Sequence, residues 1–236
     1  MTKRSLNQND KKVNKFIETI EPEYIFDNKP INRFKFDKNE NTIDKIDRLL
    51  VLEKNITSIQ DCNLKKDSRS LIMGNGEINS PIMIIGETPG ELEEKSGKPF
   101  QGDVGILLEK MLIAINIKKE RVYLTYSINF RPPEDRKPTS QEMRRYSVFL
   151  KEHISIIDPK ILILMGSTAM ETVTGLNTKI SNERGQWKEI IIKNKTIPLL
   201  ITYSPSYLIR FSENKKYSWE DLKKIKQKIS DLNIKI

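Results

Sequence analysis

The chain has 236 residues, 37% of them hydrophobic, which is enough for one well-buried core, and 41 Lys and Arg against 32 Asp and Glu leave a net charge of +9. That balance points to an anionic partner such as nucleic acid, although Lys and Asn also crowd segments without any motif, as in Asn39-Glu40-Asn41 and Lys193-Asn194-Lys195, where they read as compositional drift. The single cysteine, Cys62, excludes an intramolecular disulfide and fits a reducing compartment; no run approaches the ~20 apolar residues of a membrane span, and MTKRSLNQNDKK has no apolar signal core, so a cytoplasmic protein without a membrane partner is expected.

Residues 1–50 are polar and rich in Lys, Asn and Asp, and read as an extension that is partly helical or loosely ordered. Val13, Phe16, Ile17 and Ile20 predict a short helix there, ended by Glu21-Pro22. Ile43, Ile46, Leu49, Leu50, Leu52 and Ile56 recur at helical spacing and predict a helix over 43–59 that leads into the main domain, 51–236. Gly74-Asn75-Gly76 reads as a turn.

From there the chain alternates strand and helix. Strands are predicted at 82–85, 122–125, 161–165 and 199–203, from short apolar runs rich in β-branched residues. Between them, helical spacing runs over Val104, Leu107, Leu108, Met111, Leu112 and Ile115, and Thr139 to Glu142 has the spacing of a capping box that opens a helix to about 157. A short helix follows Gly166-Ser167, and 219–229 supplies a last amphipathic helix. This is an α/β pattern, and it predicts a three-layer α/β/α fold around a central four-stranded parallel sheet. The loops at 86–90, 126–136, 166–167 and 204–210 all leave the carboxyl ends of strands. They therefore converge on one edge, where open α/β sheets bind ligands.

On these loops stand GETPG (86–90), GKPFQG (97–102), FRPPEDRKP (130–138), MGSTA (165–169), RG (184–185) and SPSYLIR (204–210). Their order and spacing resemble the family 4 uracil-DNA glycosylases over about 60–225. The resemblance implies hydrolysis of the N-glycosidic bond of uracil in DNA to leave an abasic site, with the target base taken out of the stack into a pocket. It further implies that Glu87 orients or polarises the attacking water and that Phe100 stacks on the base, with Gly86 and Thr88 beside it. Arg131, Arg136, Lys137, Ser206 and Arg210 are implied as DNA contacts, and Tyr207 and Leu208 as the wedge beside the flipped nucleotide.

Three departures accompany the resemblance. The family holds an iron–sulfur cluster with four cysteines, and the matching positions here are Ile59, Cys62, Phe130 and Tyr146, so no cluster and no other cofactor or metal is expected. The asparagine that reads uracil is replaced by Tyr126, with Asn129 three residues on, and the histidine of the last motif by Ser204, a weaker donor toward the departing base. The only histidine, His153, reads as structural and half-buried. The expectation is a monomeric glycosylase acting on single- or double-stranded DNA that contains uracil or another deaminated base. The alternatives are a catalytically inactive DNA-binding descendant and a glycosylase for deaminated purines.

Overall fold

Ile82–Gly86, Tyr123–Tyr126 and Ile161–Met165 are buried along their whole length, as is the end of the last strand from Leu199 to Thr202, and only the centre of a sheet covered on both faces offers such a place. The computed structural model describes residues 38–60 and 62–235. In chain order its elements are α1 (Lys38–Thr57), α2 (Asn63–Asp67), β1 (Gly74–Gly76), β2 (Ile82–Gly86), α3 (Glu91–Ser96), α4 (Gly102–Ile113), β3 (Tyr123–Tyr126) and α5 (Ser140–Ile157). They continue with β4 (Ile161–Met165), α6 (Ser167–Thr174), α7 (Ile180–Glu183), β5 (Trp187–Ile192), β6 (Lys195–Thr202), α8 (Pro205–Arg210) and α9 (Lys215–Asp231). The short helix read at 13–20 lies outside the described residues.

The sheet order is β1-β3-β2-β4-β6-β5. The four predicted strands β3, β2, β4 and β6 are mutually parallel, as the alternation of strand and helix requires. The sheet does not stop at four, however. β1 and β5 add antiparallel edges, so the whole is a mixed six-stranded sheet. Gly74-Asn75-Gly76, read as a turn, is edge strand β1, paired with 123–125. Lys193-Asn194, read as drift, is the two-residue turn of the β5–β6 hairpin; φ is 45° and 66° there, the left-handed pair such a turn needs.

Successive strand residues face opposite ways. Ile82 and Ile84 pack with Leu108, Leu112, Leu222 and Ile225 from α4 and α9, whereas Met83 and Ile85 pack with Leu150, Ile154 and Met170 from α5 and α6. The predicted three layers follow from that alternation. A third apolar cluster joins Leu52 and Ile56 of α1 to Met143 and Tyr146 of α5. The capping box at the start of α5 forms as read, with Thr139 N–H donating to Glu142 Oε2 at 2.7 Å and Glu142 N–H to Thr139 Oγ1 at 3.2 Å. His153 is fully buried rather than half-buried, its Nε2 2.8 Å from the Tyr123 hydroxyl, and burial pushes its pKa down to about 4. No described helix is long and apolar enough to cross a membrane.

Candidate active site

The parallel strands bring their carboxyl ends to one edge of the sheet, and Glu87, one residue past β2, is tied there to two neighbouring loops. Its Oε1 accepts hydrogen bonds from Thr168 N–H at 3.1 Å and Ser167 Oγ at 3.3 Å, at the start of α6, and the Ser127 hydroxyl donates to its main-chain oxygen at 2.5 Å. Oε2 has no hydrogen-bond partner among the described residues. Gly166 makes the arrangement possible, because with φ at 104° and the Glu87 Cδ 2.2 Å from where a Cβ would sit, no other residue fits.

Beside this carboxylate lies a closed aromatic pair. Phe100 and Tyr126 stack with centroids 4.9 Å apart and 27° between planes, and Phe100 is only 2% exposed. Both rings press on Gly86, where a Cβ would meet Phe100 Cζ and Tyr126 Cδ1 at 2.8 Å. Phe100 adopts φ of 54°, unusual for a bulky residue, and its N–H donates to the Tyr126 hydroxyl at 3.1 Å. That hydroxyl in turn donates to Glu93 Oε1 at 3.1 Å. Burial, reinforced by the Glu93 charge, pushes the Tyr126 pKa well above its usual value, so the phenol keeps its proton.

Glu93 was not singled out from the sequence, yet it organises this wall. It is 6% exposed and also accepts from Gly90 N–H at 3.1 Å and Gln101 N–H at 2.9 Å. The available signal was its position, three residues after Gly90 at the start of α3, where a glutamate can reach back to the helix start. Thr88 is half-buried on the same loop. Asn129 is turned away from a base-reading role, its amide donating to the Ile72 carbonyl at 2.9 Å.

Ser204 to Arg210, read as a loop, forms the short helix α8. The Ser204 hydroxyl caps it, accepting from Tyr207 N–H at 3.3 Å and lying 3.1 Å from Ser206 Oγ. Leu208 is 1% exposed and packs in the core, which does not suit a wedge; the exposed side chains here are Ile209 and Arg210.

The basic loop after β3 is neutralised from within. Arg131 holds Asp135 through two bonds of 2.7 and 2.9 Å and reaches Glu94 at 3.3 Å, and these bonds raise its pKa further and lower that of Asp135. Arg136 grips Glu142 at 2.9 and 2.7 Å, and these bonds bring the Glu142 carboxyl down to about 2. Lys137, more exposed, lies 3.5 Å from Glu171. Of the four basic residues expected on DNA, Arg210 alone makes no ion pair among the described residues.

The four positions of the implied cluster do come together, in the apolar cluster between α1 and α5. Ile59, Cys62, Phe130 and Tyr146 are all buried there, with Cys62 Sγ 3.5 Å from the Tyr146 hydroxyl and the Phe130 and Tyr146 rings edge to face at 6.4 Å. One thiol among three side chains without thiolates does not fit a four-cysteine cluster. Among the described residues no group of three or more His, Cys, Asp or Glu side chains is placed to hold a metal ion.

Residues 73–225 match the Uracil DNA glycosylase superfamily. The chain belongs to that superfamily. Among its relatives, it is 33% identical over 179 residues to a type-4 uracil-DNA glycosylase of Thermotoga maritima, covering 75% of this chain and 92% of that one. It is 32% identical over 190 residues to a type-4 uracil-DNA glycosylase of Sulfurisphaera tokodaii, covering 77% and 85%. A DNA polymerase of Bacillus phage SP01 is 31% identical over 128 residues, 54% of this chain and 14% of the polymerase. The superfamily match spans the Glu87 carboxylate, the aromatic pair and the Ser204 turn together.

Proposed function

We propose that this uracil-DNA glycosylase superfamily member hydrolyses the N-glycosidic bond of deoxyuridine in DNA, releasing uracil and leaving an abasic site. The observation that carries the reading is Glu87, held at the start of α6 with Oε1 bonded and Oε2 without a partner among the described residues. As the bond from uracil N1 to the sugar C1′ breaks, its electron pair leaves with the base and positive charge develops on the sugar. In this reading Glu87 stabilises that charge and holds a water by Oε2 for addition to C1′. The added water gives up its proton, which passes through solvent to the uracil anion, and the products are the neutral free base and the abasic sugar.

Phe100 and Tyr126 supply the apolar wall for the base. The Tyr126 oxygen gives its hydrogen to Glu93 and accepts one from Phe100, so a single lone pair remains for the base. Recognition thus rests on shape, stacking and one acceptor rather than on a two-point amide contact. The Ser204 and Ser206 hydroxyls lie 3.1 Å apart, and when Ser206 is the donor of that pair the Ser204 hydrogen is left for the oxygen of the departing uracil, a weaker stabiliser than an imidazole. The apolar filling at Ile59, Cys62, Phe130 and Tyr146 supports a protein that works without an iron–sulfur cluster.

The close packing of Tyr126 on Phe100 speaks against a purine, which needs more room, and it is also the observation that would favour an inactive descendant. Uracil release from single-stranded and duplex DNA decides between activity and inactivity. Release above a no-enzyme control is expected from the wild-type chain, and none from either substrate overturns the proposal.

A further inference from the structure

An aromatic series on either side of Ser204 has no part in the bond cleavage described for Glu87. Tyr203 and Tyr207 stack with centroids 4.8 Å apart and 25° between planes, and Tyr207 and Phe211 continue the series at 4.8 Å and 37°. The four-residue spacing through α8 puts the three rings on one side. Burial falls along the series: Tyr203 is 8% exposed, Tyr207 half-buried and Phe211 45% exposed. The inner rings are fixed. The Arg184 guanidinium lies over Tyr203, 5.6 Å from its centroid, and is itself bonded to the buried Asp221, while the Tyr207 hydroxyl accepts from Asn214 Nδ2 at 3.1 Å. Phe211 is therefore a rigidly backed aromatic ring whose exposed part has no aromatic partner beyond Tyr207 among the described residues.

The surroundings are cationic. Arg210 precedes Phe211 and Lys215 and Lys216 follow it; all three are exposed and none makes an ion pair among the described residues, against the single neighbouring acid Glu213. Lys216 Nζ lies over the Tyr217 ring, 5.0 Å from its centroid, and keeps its charge for an anion. A flat apolar ring flanked by cations without carboxylate partners complements one kind of ligand in particular, a nucleic acid strand that offers a base face between two phosphates. Bases of a duplex are stacked on both faces already, so the base that uses Phe211 is unpaired. The series also begins at the end of β6, directly before Ser204, and so runs outward from the candidate site.

We propose that Phe211, backed by Tyr207 and Tyr203, is a stacking platform for an unpaired base of single-stranded DNA flanking the target nucleotide, with Arg210, Lys215 and Lys216 on the adjoining phosphates. The proposal rests on the uracil-excision reading only for which nucleotide lies in the site; holding the strand needs no uracil. The platform gives the protein a preference for single-stranded over duplex DNA that the site around Glu87 does not itself supply.

The test uses the full chain and a uracil-free oligonucleotide carrying the fluorescent base 2-aminopurine, titrated as a single strand and as a duplex. Wild type and Phe211→Trp quench the single-strand probe, and Phe211→Ala does not. Phe211→Ala, at an exposed position, keeps the wild-type melting temperature and weakens single-strand binding about tenfold while changing duplex binding less than about twofold. Single-strand binding by Phe211→Ala as tight as wild type overturns the proposal, and so does an equal loss on single strand and duplex. Because the probe contains no uracil, these outcomes are independent of whether the chain releases uracil.

Discussion

Removing one oxygen from the aromatic wall tests how that wall is held. In Tyr126→Phe the ring and its stack on Phe100 remain, but the hydroxyl that donates to Glu93 and accepts from Phe100 N–H is gone. Glu93 keeps its bonds from Gly90 and Gln101, so its charge is still partly satisfied. The Phe100 N–H, buried at φ of 54°, loses its partner. A hydrogen bond to a charged group contributes about 1.5–3 kcal/mol, and an orphaned buried amide costs about 1–3 kcal/mol. One hydroxyl serves both, and together the loss comes to about 3 kcal/mol. For a domain of about 200 residues each kcal/mol moves the melting temperature by about 2–4 °C, so a fall of about 6–12 °C is expected by circular dichroism. A melting temperature within about 2 °C of wild type would refute the argument that this hydroxyl holds the wall together.

Further expectations concern charge and metal. His153 is buried with a pKa of about 4 against an ordinary 6.5, so its neutral form is favoured by folding. The stability is whole above about pH 6.5 and is lost as pH falls toward 4, by about 3 kcal/mol in all; His153→Gln flattens the change in melting temperature between pH 6.5 and 5. Arg210→Ala reduces the salt slope of DNA binding by about 1, whereas Arg131→Ala leaves the slope unchanged and lowers the melting temperature, because Asp135 and Glu94 already occupy its guanidinium. Prolonged iron chelation leaves both the melting temperature and the uracil-release rate unchanged, since the cluster positions are filled by packed side chains; a loss of either contradicts that reading.

The central strands were legible because a strand buried on both faces must be apolar throughout, and Ile82–Gly86 and Ile161–Met165 have no other reading. The edge strands were not. β1 is Gly-Asn-Gly, which carries a turn's chemistry and forms a strand only by pairing with β3, and β5 leaves Ile191 72% exposed, against the pattern of a covered strand. Within the site, the chemistry of each residue type could be read, but the partners could not. Nothing local says that Tyr126 stacks on Phe100 or that Glu93 bonds to both segments, since these contacts join residues 26 and 33 positions apart. The basic loop misled for the same reason: Arg131 and Arg136 look free in one dimension and are paired in three.

The central claim is that Glu87 carries uracil hydrolysis, and the most direct measurement is the single-turnover rate of uracil release from a deoxyuridine oligonucleotide by wild type and Glu87→Gln. The variant keeps the size of the side chain and removes its charge. Release by wild type, slowed at least about a hundredfold in Glu87→Gln with DNA binding retained, is the predicted result. A Glu87→Gln rate within about threefold of wild type would contradict the role of the carboxylate.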